Sequence, residues 1–247
     1  MAEIIFHSIA ESAYLWTAMH VADEKGVAYE LAPLVYRSPE HLALHPFGKM
    51  PVMQHRDVYL YETLAIAHYI DRAFEGPSLQ PADALGQAEV LRWISIVNSY
   101  VFPTMNRFMK ERLVRPAFGG VPDADFLAQA QEPLTLQMRL IEEALTRAPH
   151  LAGEALTIAE SFLLPQLLFF VLTAEGAELL QRSPAIQDWL LRLRGRESYL
   201  RSPMRGVFSA MGGMTGAVRP SWARTRPNFA IQPRDVVIPM DGSEAAC

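Results

Sequence analysis

The stretch His45-Pro46-Phe47-Gly48-Lys49-Met50-Pro51, followed by Tyr61-Glu62-Thr63-Leu64-Ala65-Ile66, decides how this chain is read. Glu62-Thr63 stands where a short extended run gives way to the helical pattern Ile66, Ala67, Ile70, Phe74, so Thr63 is the expected N-cap. A helix N-terminus carries unpaired N–H groups and a partial positive charge, which suit an α-carboxylate. The Glu62 side chain suits the neighbouring ammonium group, so the pair grips both charged ends of an amino acid. Upstream, Met50-Pro51 follows a glycine turn and precedes the extended Val52-Met53-Gln54, where a cis bond is expected. Such a bond turns the Met50 N–H and C=O outward, so that a peptide pairs with them as one more strand. Lys49, with Arg37 upstream, supplies positive charge for a second carboxylate farther along the ligand. The set describes a site for a small zwitterionic peptide.

A thiol carried by that peptide is best activated at the start of the first helix, where the dipole favours thiolate. Ile4-Ile5-Phe6 reads as a short apolar strand, and Leu15, Ala18, Met19 and Ala22 recur at helical spacing up to Gly26, a suitable C′ residue. Between them, Ser12 falls at or next to the N-cap. A hydroxyl there donates to a thiolate while helix N–H groups add to the field, lowering a thiol pKa from its free value of about 8.5. A shift of about two units needs roughly 2.7 kcal/mol, which one charge-assisted hydrogen bond and a helix terminus together supply. Capping alone is the commoner role of a serine in this position. Ser8 and Tyr14 are the other candidates, with Tyr14 expected instead to line the cleft for a second substrate.

The strand, the Ser-bearing turn and the helix ending in Glu24-Lys25-Gly26 are followed by Ser38-Pro39-Glu40-His41-Leu42-Ala43, Pro46-Phe47-Gly48-Lys49-Met50-Pro51 and Tyr61-Glu62-Thr63. In this combination the chain resembles a cytosolic glutathione S-transferase, most like the phi class and its bacterial phi- and theta-like relatives, over about residues 3–205. The resemblance implies an α+β chain: a thioredoxin-like βαβαββα domain over 1–76, a connection over 77–87, an all-α helical-bundle domain over 88–208 and an irregular tail over 209–247. It implies Ser12 as thiol activator and Arg37, Lys49, Met50, Pro51, Glu62 and Thr63 as glutathione-binding residues. Glutathione is then the co-substrate, and a homodimer is expected. The chain departs from the family pattern with Trp16-Thr17 where Val-Arg is frequent, Tyr36 where histidine often stands and His45 where asparagine often stands.

Composition agrees. With 247 residues and 50% hydrophobic content, the chain can bury one large core or two small ones. The formal charge of −5, without a basic stripe interleaved with aromatics before the tail, argues against nucleic acid. The longest apolar run, Phe162 to Leu172, is interrupted by Pro165 and Gln166 and is too short to span a bilayer. The N-terminus, with Glu3 and only a brief apolar strand, has no signal-peptide pattern, so a cytoplasmic protein is expected. The only cysteine is Cys247, which excludes a disulfide framework and a Cys-x-x-Cys redox pair, and the seven histidines have no convergent ligand spacing, so no metal is expected. The reacting sulfur must arrive with the ligand.

Beyond the turn-rich Gly76-Pro77-Ser78-Leu79-Gln80-Pro81, the pattern is helical. Leu85, Ala88, Leu91, Ile94 and Val97 share one predicted face, with a kink or break expected at Pro103. Met138, Ile141 and Leu145 mark a further helix, Thr157-Ile158-Ala159-Glu160 is a capping box, and Ser183-Pro184 opens a helix through Trp189 and Leu193. The tail, with its glycines, prolines, Trp222 and Phe229, is expected either to fold over the cleft or the dimer, or to extend freely. Phe47 is expected to insert into a partner subunit or to pack within its own chain.

The electrophile pocket is expected between the domains, walled by Ile9, Ala10, Tyr14, Leu34 and Val35 and by the helix carrying Met105, Phe108, Met109 and Arg112. The chemistry expected is attack of a Ser12-stabilised glutathione thiolate on an apolar electrophile, by conjugate addition or displacement. A dehalogenase, ether-cleaving enzyme or isomerase of the same fold is one alternative. A non-catalytic ligand-binding or scaffold module is the other, disfavoured by the intact set Ser12, Glu62 and Thr63.

Overall fold

The structure, a computed structural model, describes residues 2–10 and 12–202. Its first element, β1 (Ile4–Ser8), buries Ile4, Phe6 and Ser8 on one face, the two-residue period of a strand. Helix α1 (Ala13–Lys25) returns the chain to β2 (Tyr29–Pro33), which pairs parallel to β1. After α2 (Pro39–Leu44), β3 (Val52–His55) and β4 (Val58–Leu60) add antiparallel, and α3 (Thr63–Ala73) closes the unit. The sheet order β2-β1-β3-β4 with these helices is the expected thioredoxin-like βαβαββα arrangement. Met50-Pro51 is cis. Gly26 ends α1 at φ 72°, a left-handed conformation that costs glycine nothing.

The rest is helical: α4 (Ala84–Ile96), α5 (Phe102–Met109), α6 (Arg115–Ala117), α7 (Ala124–Arg147), α8 (Ile158–Phe170), α9 (Ala174–Gln181), α10 (Pro184–Arg194) and α11 (Glu197–Arg201). Two π-helical segments, Val97–Val101 and Lys110–Val114, join α4 to α5 and α5 to α6. Pro103 therefore does not break the helix as expected. It sits in the first turn of α5, just after the wider π turn, where its missing N–H and bulky ring are accommodated. Helix α7 starts at its Asp123 cap and runs through Pro133.

The Thr157 capping box forms as expected: Glu160 Oε2 accepts from the Thr157 N–H at 2.7 Å, and the Thr157 hydroxyl oxygen accepts from the Ala159 N–H at 3.3 Å. Helix α8 is buried nearly all round and packs on α1, α4 and α5. Because α3 covers one side of α1 and α8 the other, every residue of α1 from Leu15 to Lys25 is buried.

The predicted face of α4 divides. Ile94 and Val97 join Val90 and Trp93 in the core, whereas Leu85 and Leu91 are 73% and 52% exposed. An apolar stripe thus points outward, where propensity alone cannot tell core from a second covered surface. Among the described residues no single helix is long and apolar enough to cross a membrane, although the sharply bent pair of α8 and α9 together has the length and composition of a broken span. The expectations for the 209–247 tail lie outside the described residues.

Candidate functional site

Ser12 is the N-cap of α1: its Oγ accepts from the Leu15 N–H at 3.2 Å. The cap uses an oxygen lone pair and leaves the hydroxyl hydrogen unspent among the described residues. The loop before it is pinned by Trp16, whose indole N–H donates to the Ala10 carbonyl at 2.7 Å and whose ring lies 4.7 Å from that of Phe169. Trp16 was legible in the sequence only as a departure from the family pattern; its tether depends on a helix turning the ring back toward the strand end.

Glu62, not Thr63, is the N-cap of α3, and Thr63 is the first helical residue. The reason is the backbone of Glu62, held at φ 69° in the left-handed region that a non-glycine residue adopts at a cost. Its carboxylate makes no capping bond, is 64% exposed and therefore stays available beside the α3 N-terminus. His45 backs it: the ring is buried, lies 4.6 Å from that of Tyr61, and brings Nε2 to 3.9 Å from Glu62 Oε1. Burial lowers the His45 pKa, the Glu62 charge opposes that, and His41 and Lys49 add to the lowering.

Arg37 and Lys49 are exposed, and the Arg37 side chain lies across the Gly48 turn that leads to Lys49. Met50 is half-buried and Pro51 buried immediately before β3. One loop cluster thus gathers Arg37, Lys49 and Met50, with His45 linking it to Glu62 and Thr63.

Tyr14 donates to the Asn98 side-chain carbonyl at 3.1 Å and packs edge-on against Phe102 at 4.8 Å between ring centroids. Burial foremost, then the Glu62 charge, push its pKa well above the ordinary phenol value. Asn98 was absent from the expected site; a π-helical segment, which often marks functional positions, is not visible in residue periodicity.

The expected pocket needs correction on its helical side. Met105 and Phe108 are 0% and 1% exposed, packed in the helical core, and so cannot touch a ligand in this conformation. Arg112 is engaged by Glu175 of α9, with Nε 2.8 Å from the carboxylate. Ile9, Tyr14, Leu34 and Met109 are half-buried, and Ala10 and Val35 exposed. A separate cleft of about 550 Å³ opens at the other end of α1, lined by residues including Asp23, Glu24, Arg192 and Arg196. It is remote from Ser12. Among the described residues no three His, Cys, Asp or Glu side chains are grouped to hold a metal ion.

The chain is similar to known proteins in sequence and in fold. Residues 2–72 match the family model described as glutathione S-transferase, N-terminal domain. Glutathione S-transferase 3 of Zea mays is 32% identical over 168 residues, covering 65% of this chain and 75% of that protein. The probable glutathione S-transferase GSTF2 of Oryza sativa subsp. japonica is 29% identical over 184 residues, covering 72% of this chain and 85% of its own length. Among solved structures, glutathione S-transferase I from mais in complex with an atrazine glutathione conjugate superposes with a TM-score of 0.75 at 26% identity, over 84% of this chain and 99% of that one. The chain belongs to the glutathione S-transferase family.

Proposed function

We propose that this glutathione transferase activates its sulfur with Ser12 and transfers it to an apolar electrophile, by conjugate addition or by displacement of a leaving group. The observation that carries the reading is the Ser12 cap: its oxygen is held by the Leu15 N–H while its own hydrogen is free to donate to a thiolate at the α1 N-terminus. Glu62 takes the γ-glutamyl ammonium, the first N–H groups of α3 at Thr63 take the adjacent carboxylate, and Met50 pairs with the cysteinyl backbone. Arg37 and Lys49 take the glycyl carboxylate. The half-buried apolar side chains of Ile9, Leu34 and Met109 support an apolar second substrate, and the mais relative is solved in complex with an atrazine glutathione conjugate. Detoxification of such electrophiles in the cytoplasm, where thiols are kept reduced, is the role this implies.

The outward stripe of Leu85 and Leu91 on α4, with Phe47, Tyr61 and Leu64 also exposed, supports a second copy of the chain as partner. On this reading, Leu91→Arg yields a monomer by light scattering while the unaltered protein is a dimer.

Ser12→Ala tests the mechanism. Glutathione binding is expected to persist while turnover falls by about a hundredfold and the bound thiol regains its ordinary pKa. An unchanged rate removes Ser12 from the reaction.

A further inference from the structure

Resting on the reading of Arg37 and Lys49 as a carboxylate clamp, we propose that His41 is the positioning residue that assembles the clamp for the terminal carboxylate of glutathione. His41 is wholly buried in α2, and its own N–H donates to the Ser38 cap at 3.2 Å. Its ring reaches both arms of the clamp. Nδ1 accepts from the Arg37 backbone N–H at 2.9 Å, and Nε2 lies 2.8 Å from the Lys49 carbonyl. An amide N–H only donates and a carbonyl only accepts, so one neutral tautomer, protonated at Nε2, satisfies both. The Tyr36 ring, 5.9 Å away between centroids, packs near the imidazole.

The two segments that His41 joins hold unusual backbones. Arg37 stands at φ 58° and Gly48 at φ 60°. For Arg37 that conformation has a cost that its surroundings must cover, and the bond to His41 holds its N–H in place. A Cβ built on Gly48 would meet Arg37 Cγ at 3.4 Å and Nη1 at 3.5 Å, so the arginine lies across the turn that leads to Lys49. Both cations are exposed and have no carboxylate partner among the described residues. They are unspent charges carried by two segments that one buried ring joins. Without the ring, the Arg37 N–H and Lys49 carbonyl lose their common partner, and the spacing of the two cations is no longer set before binding.

The test is calorimetric titration of the full chain with glutathione and with γ-glutamylcysteine, which lacks the glycyl unit. The unaltered protein is expected to prefer glutathione. His41→Phe, which keeps the ring volume and removes both hydrogen bonds, is expected to bind glutathione roughly tenfold more weakly with little change for γ-glutamylcysteine. His41→Gln, which keeps a donor and an acceptor, is expected to recover part of the preference, and in His41→Phe the KM for glutathione rises more than kcat falls. If the unaltered protein has no preference, the clamp reading fails and the role of His41 with it. If the unaltered protein prefers glutathione and His41→Phe keeps that preference, His41 alone is overturned. Equal weakening toward both peptides in both variants, the mark of general loosening, also overturns it.

Discussion

The Tyr14 hydroxyl donates to the Asn98 side-chain carbonyl across 3.1 Å, joining the first turn of α1 to the π-helical segment that follows α4. The bond ties the thioredoxin-like half of the chain to its helical half. It also commits the phenol: its proton is spent on Asn98, and burial holds its pKa far above that of free tyrosine. Tyr14 is therefore not a tyrosinate awaiting a substrate.

Tyr14→Phe is accordingly expected to leave the thiol pKa of bound glutathione low, as read by thiolate absorbance against pH. It should change selectivity among electrophiles and cost about 1 kcal/mol of stability for the lost bond. A thiol pKa that returns to its ordinary value in this variant would transfer the activating role from Ser12 to Tyr14.

Glu62→Gln removes the charge proposed for the ammonium group and should weaken glutathione by roughly ten- to a hundredfold in calorimetry. His45 makes that interaction pH-dependent. Its buried ring is neutral at pH 7, because burial lowers its pKa from the ordinary 6.5 despite the opposing pull of Glu62. As pH falls through that lowered pKa, the ring gains charge 3.9 Å from the Glu62 carboxylate and competes with the ligand ammonium. Glutathione affinity should fall on acidification, and less steeply in His45→Asn. Superimposable affinity–pH curves for the two proteins would remove His45 from recognition.

His20 is fully buried, with Nδ1 2.8 Å from Ser161 Oγ of α8 and Nε2 3.6 Å from Glu24. Burial foremost lowers its pKa to about 4, with Glu24 opposing and Arg196 assisting. Between pH 6.5 and about 4 the unfolded chain binds the proton and the folded chain does not, so acidification removes stability across that window. The loss is roughly 3 kcal/mol at most by linkage. Glu24 carries bonds from Arg196 and Ser198, which outweigh its burial and lower its pKa, so its stabilisation is lost further toward acid. Urea unfolding against pH should show the first loss in the unaltered protein and not in His20→Gln.

Glu160→Ala should cost about 2–4 kcal/mol in thermal or denaturant unfolding, since three donors lose their acceptor in a buried site. Those donors are the Leu151 N–H at 2.6 Å, the Thr157 N–H at 2.7 Å and the Thr157 hydroxyl at 2.8 Å. A loss under about 0.5 kcal/mol, the size of an ordinary surface change, would show the box to be replaceable by water.

Much of this molecule was legible before any coordinates. Ser12 and Thr157 cap helices as their spacing indicated, Gly26 ends α1 in the left-handed conformation, and Met50-Pro51 is cis. Each of these features is decided within about four residues of chain, where propensity and capping chemistry act. For the candidate site, the sequence placed Ser12 and Glu62 at helix starts and Lys49 after a glycine turn, where the structure also has them, whereas the left-handed backbone of Arg37 had no signal in the sequence. The Thr63 cap was misplaced by one position because Glu62, at φ 69°, already takes the non-helical capping position and leaves Thr63 as the first helical residue.

By itself, then, the sequence determined several helix ends, those capped by Ser12 and Thr157 and closed by Gly26, and the charged groups set near them, because hydrogen bonding and dihedral preference are local. Only the tertiary structure decided that α1 is buried on both sides, that Met105 and Phe108 belong to the core, that Arg112 is bound to Glu175, and that His41 joins Arg37 to Lys49. Those outcomes depend on which surfaces meet across the chain, and residue periodicity specifies an apolar face without specifying what covers it.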